Sequence, residues 1–121
     1  MLKSKQQTLK EKVNLKGVGL HNGKEVNLTI NPSKPNTGII FKRIDINKNN
    51  IIQANFKNVV EPILCTKIKN EEGVTVSTVE HLMAAFYGEG VDNVLVEIDA
   101  PEIPIMDGSS FDFVEAIKAV G

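Results

Sequence analysis

The chain has 121 residues, enough for one domain and too few for two ordinary ones. At 41% hydrophobic and 24% charged it can bury a real core, and a formal net charge of -1 lacks the basic footprint of a nucleic-acid binder. No apolar run approaches the roughly 18 residues of a membrane span, and the polar start Met1 to Gln7 has no apolar stretch of signal-peptide type. The single cysteine, Cys65, excludes an internal disulfide and every multi-cysteine zinc ribbon. A cytoplasmic protein without a transmembrane segment is expected.

Gln7 to Leu15 reads as a first strand, with Leu9, Val13 and Leu15 apolar among polar neighbours. Gly17-Val18-Gly19-Leu20-His21-Asn22-Gly23 is a turn-rich connection whose glycines imply a tight path. Glu25 to Asn31 alternates, with Val26, Leu28 and Ile30 on one side and Asn27 and Thr29 on the other. This is a half-buried strand ended by Pro32. A turn at Pro35-Asn36-Thr37-Gly38 precedes a strand from Gly38 to Ile44, and residues 47–50 form a polar loop. Ile51 to Val60 reads as extended with a bulge. Leu64 to Lys69 and Val74 to Val76 read as strands joined by a hairpin turn at Asn70-Glu71-Glu72-Gly73. A helix begins at Ser77 and ends at Gly88 and Gly90; Val91 to Ile98 is the most apolar strand. Ala100 to Ser109 is a long loop stiffened by Pro101 and Pro104. A last helix from about Ser110 to Val120 turns Phe113, Val114, Ile117 and Val120 toward the core.

Several antiparallel strands with two helices give an α+β class, a two-layer sandwich of mostly antiparallel sheet covered by the helices. The final helix stops at Gly121 without a tail, which reads as a cut at a domain boundary.

Ser77-Thr78-Val79-Glu80-His81-Leu82-Met83-Ala84-Ala85 says most about chemistry. At about 100° per residue, Val79, Leu82, Met83 and Phe86 share a core face. His81 projects roughly opposite, with Ala84 and Ala85 beside it, and Glu80 lies between. Ser77 and Glu80 fit a capping box, in which Glu80 bonds back to the Ser77 backbone. Equally, a carboxylate beside a metal-ligating imidazole is what a metallohydrolase uses to deprotonate an attacking water. His81 is open to both a surface and a ligand role. His21, in its glycine-rich loop, can bond that loop or serve a site, and Cys65 mid-strand is ordinarily a small hydrophobe. Asp107 before Gly108-Ser109 fits the cap of the last helix. The soft metal ligands are only His21, Cys65 and His81, and His-Glu-x-x-His is absent. From residues alone the chain suggests a metal-assisted hydrolase half-site and names no substrate.

Five blocks narrow this. Gly17 to Lys24, Leu64-Cys65-Thr66, Ser77 to Leu82, Gly90-Val91-Asp92-Asn93 and Ala100 to Ser109 resemble, in order and spacing, the family of UDP-3-O-acyl-N-acetylglucosamine deacetylase. The resemblance covers nearly the whole chain. It implies a zinc-dependent amidase of lipid A biosynthesis in Gram-negative bacteria that releases acetate from a UDP-linked, 3-O-acylated N-acetylglucosamine. It also implies a fold of two similar α+β domains with the active site between them. By resemblance His81 matches the zinc ligand of the first domain, and Glu80 the general base. Leu64 and Cys65 match a strand end lining the cleft, and His21 a histidine near the substrate.

On this reading residues 1–121 are the first, N-terminal domain, and the second domain is missing. With it go a histidine and an aspartate zinc ligand, a histidine general acid and the acyl-chain passage. The isolated domain is therefore expected to be inactive or nearly so. Two other readings belong to different classes. One is a non-catalytic module docking a partner through the Ala84/Ala85 face, with Glu80 only a cap. The other is a self-contained metal site of His21, Cys65 and His81.

Overall fold

The computed structural model describes residues 7–19, 23–54, 59–60, 67–77, 79–104 and 111–120. Its main sheet has five strands. In chain order these are β1 (Val13–Val18), β2 (Glu25–Pro32), β3 (Ile39–Arg43), β4 (Ile51–Gln53) and β8 (Val94–Ile98). Across the sheet the order is β1-β2-β8-β3-β4. A smaller sheet runs β5 (Val59–Val60), β6 (Lys67–Lys69), β7 (Thr75–Ser77). Two helices complete the fold, α1 (Glu80–Glu89) and α2 (Phe111–Val120).

The alternation read in the sequence becomes one buried row across the main sheet. Val13 pairs with Ile30, Ile30 with Val96, Val96 with Phe41, and Phe41 with Ile52. All five are buried. Since side chains along a strand alternate between faces, this register sends Asn14, Thr29, Leu95 and Lys42 to the other face. There Thr29 donates to Asn14 Oδ1 and the Asn31 amide donates to Glu97 Oε1. Leu82, Ala85 and Phe86 of α1 and Phe113 and Ile117 of α2 join the same buried cluster as the strands. The class is thus α+β, with the helices on one face of the main sheet, as expected.

Several boundaries differ from the expectation, each for a nonlocal reason. Residues 7–12 do not pair as a strand. Leu9 is buried, but the Gln7 carbonyl accepts the amides of Asp92 (2.9 Å) and Asn93 (3.1 Å), so this segment is tied to the turn before β8. β1 instead runs through Gly17 and Val18, which pair with Val26 and Glu25. The β1–β2 hairpin is closed by Gly19 N–H to Lys24 O and Gly23 N–H to Gly19 O, with Gly23 at φ 67°. The stretch from Ile51 to Val60 is split between the two sheets. One pair, β3 with β8, is parallel within an otherwise antiparallel main sheet. The hairpin turn at Asn70 to Gly73 forms where expected, its Asn70 side chain accepting the amides of Glu72 and Val74.

Candidate active site

The acid–imidazole pair stands on the first turn of α1, and backbone hydrogen bonds from a distant segment set where that turn begins. β7 ends at Ser77. There the Ser77 amide donates to Pro101 O at 2.8 Å, and the Ile103 amide donates to Ser77 O at 3.0 Å. This makes a single parallel bridge between Ser77 and Glu102. The capping-box expectation fails here. Ser77 is a strand residue, and its amide is taken by Pro101 rather than by the carboxylate of Glu80. The helix starts three residues later, at Glu80. Its N-cap is the buried Val79, which makes no side-chain capping bond. Val79 O accepts the Met83 amide at 2.9 Å. With Glu80 in the first turn, its negative charge lies at the favourable end of the helix dipole.

The helix faces also differ from the expectation, at Ala85 and in consequence at His81. Val79, Leu82 and Phe86 are buried and Met83 is partly so, as read. Ala85 is fully buried too, whereas Ala84 is exposed. An alanine fits either environment, and here Ala85 joins the buried cluster. His81, four residues before Ala85 and three before Ala84, therefore emerges at the margin of the buried face instead of opposite it. Glu80 and His81 are both half-buried. Docking through a joint Ala84/Ala85 face is ruled out, since Ala85 belongs to the core.

The far end of α1 is fastened independently. Gly90 takes the left-handed conformation (φ 72°) and its amide reaches Tyr87 O, while the Val91 amide donates to Phe86 O at 2.9 Å. This is a Schellman closure, with Val91 and Phe86 both buried. Gly90 ends the helix as expected, and Gly88 lies within it. Asp92 Oδ2 accepts the Gln7 amide (2.8 Å). Buried Asn93 accepts the Gly38 amide at Oδ1 (2.9 Å) and the Thr8 hydroxyl at its carbonyl. The Gly90-Val91-Asp92-Asn93 block is thus a latch joining helix, amino-terminal segment and sheet.

His21, Leu64, Cys65 and Asp107, named in the sequence reading, lie outside the described residues. Among the described residues no three of His, Cys, Asp or Glu gather into a metal-holding group. The structure does bring together the Ser77 to Leu82 and Ala100 to Ser109 blocks, through the Ser77 bridge. It also exposes a residue the sequence reading passed over. Glu102 is a carboxylate only 2% exposed. Nothing in its sequence position marks it, apart from the flanking Pro101 and Pro104.

Fold and site define an α+β domain that presents a carboxylate and an imidazole at a helix N-terminus. The family model described as LpxC, UDP-3-O-acyl N-acetylglycosamine deacetylase, matches residues 6–121, and the chain belongs to that family. It is 49% identical over 117 residues to the UDP-3-O-acyl-N-acetylglucosamine deacetylase of Haemophilus influenzae strain PittEE, and 52% identical over 117 residues to that of Vibrio campbellii. In both comparisons 97% of this chain is covered, and the chain spans 38% of the relative's length. Among the described residues no helix is long and apolar enough to cross a membrane.

Proposed function

We propose that this chain is the first domain of a two-domain, zinc-dependent deacetylase acting on UDP-3-O-acyl-N-acetylglucosamine in lipid A biosynthesis, in the cytoplasm of a Gram-negative bacterium. The observation that carries the reading is the placement of Glu80 and His81 side by side on the first turn of α1, both half-buried, in a chain of this family.

The donor chemistry fits a metal in part. His81 offers an imidazole nitrogen, one corner of a tetrahedral zinc site, and the remaining protein ligands belong to the second domain. Zinc, when bound there, supplies Lewis-acid polarisation of the acetyl carbonyl and a nucleophilic water at neutral pH. Glu80 takes a proton from the attacking water as its oxygen bonds to the acetyl carbon. The C–N bond then breaks, acetate leaves, and the sugar nitrogen gains a proton from an acid on the other domain. Glu80 stands in the first turn of α1, where the helix dipole favours negative charge. His21, Leu64 and Cys65 are assigned to the substrate side of the cleft.

The test is complementation. The chain alone, supplied with zinc and substrate, is expected to show negligible acetate release. Adding the remainder of a relative's polypeptide in trans is expected to restore it. Robust turnover by the chain alone, or a stable complex of the two parts without chemistry, contradicts the reading.

A further inference from the structure

Glu102 is the single charged side chain that is buried among the described residues. Burying a carboxylate is costly unless it is compensated, and Glu102 is not without an interaction there. Its neighbours in sequence, Pro101 and Ile103, hold both backbone groups of Ser77. From Ser77 the chain reaches Glu80 in three residues, and the link is pinned again at buried Val79, whose carbonyl opens the helix. The other end of α1 is closed by Gly90 and Val91, whose amides reach Tyr87 O and Phe86 O, and Asn93 beyond them holds the Gly38 amide. The strand end that leads into the first turn of the helix is thus fastened by the Ser77 bridge.

We propose that Glu102 is a positioning residue: its buried side chain anchors the 101–103 segment, whose backbone fixes Ser77 and so sets where Glu80 and His81 stand. The consequence for catalysis rests on the reading of Glu80 as base and His81 as ligand; the anchoring itself does not. Glu102 touches no reacting atom in this account. Its effect is geometric, and misplacing a reacting group by about 1 Å can cost about a hundredfold in rate.

Amide hydrogen exchange on the 121-residue chain tests the anchoring directly, with E102A and the near-isosteric E102Q. E102A is expected to speed exchange of the Ser77 and Ile103 amides by roughly ten- to a hundredfold, the factor expected when a buried polar contact is lost. The Val91 and Asn93 amides should keep their wild-type rates. E102Q, which keeps the shape and much of the bonding capacity, should show the same selective pattern at smaller size. It carries the test if E102A does not fold. Equal acceleration at all four amides, or none, overturns the proposal. In the complemented enzyme, E102A is expected to lower kcat by about tenfold or more with KM within about twofold, and E102Q to recover most of it. Wild-type kcat in E102A overturns the proposal as well. If the complemented wild type releases no acetate, the deacetylase reading fails, and the exchange pattern still decides whether Glu102 anchors Ser77.

Discussion

Asn93→Ala tests whether the Gly90 to Asn93 block is a structural latch. The wild-type side chain is 3% exposed, and its Oδ1 accepts the Gly38 amide at 2.9 Å. Gly38 has φ 71° and sits just before β3, so this bond pins the turn that leads into the parallel β3–β8 pair. Truncation leaves a part-buried amide without its acceptor, which costs about 1–3 kcal/mol. The Asn93 backbone bonds to Gln7 and Thr8 are untouched by the substitution, which keeps the figure within that range. At about 2.1 cal/mol/K per residue, a domain of 121 residues loses roughly 4 °C of Tm per kcal/mol, so a fall of about 4–12 °C is expected. Thermal unfolding followed by circular dichroism reads this directly. A shift under about 2 °C would refute the latch. So would a full-sized loss of kcat in folded, complemented protein, because Asn93 would then be serving chemistry instead of stability.

Gly90→Ala places a side chain at φ 72°, which costs roughly 1–2 kcal/mol. A drop in Tm of about 4–8 °C is expected, and an unchanged melting curve would contradict the Schellman closure. Zinc titration of the chain alone, followed calorimetrically, is expected to show weak binding that His81→Ala reduces only modestly. One imidazole leaves the other positions to water, and a nanomolar site would reveal ligands outside this account.

The strongest signals in the sequence were the local ones. The alternation of Val26, Leu28 and Ile30 in β2 survives intact because one face of that strand is buried and the other is not. Gly90 closes α1 because the left-handed cap needs little more than a residue without a Cβ. What escaped was set by distant partners. Ser77 and Glu80 carry the spacing of a capping box, yet a segment some 25 residues further on claims the Ser77 amide first. Ala85 lost its expected exposure because alanine gives no hydropathy signal strong enough to place it on either side of a helix. Glu102 carries no local signal of burial, and only the fold shows it buried beside the bridge to Ser77. The parallel pairing of β3 with β8 joins residues about 55 positions apart, beyond any local pattern. Of the candidate site, the Glu80–His81 pair and its helix were legible in the sequence; the bridge from Ser77 to residues 101–103 was visible only in three dimensions.

The most direct test of the central claim is the turnover of Glu80→Gln in the complemented enzyme, with bound zinc quantified in the same samples. Glutamine keeps the shape of the side chain but cannot accept the proton. A fall in kcat of at least about a hundredfold, with metal content equal to wild type, is expected if Glu80 is the base. Wild-type turnover with zinc in place would contradict the account.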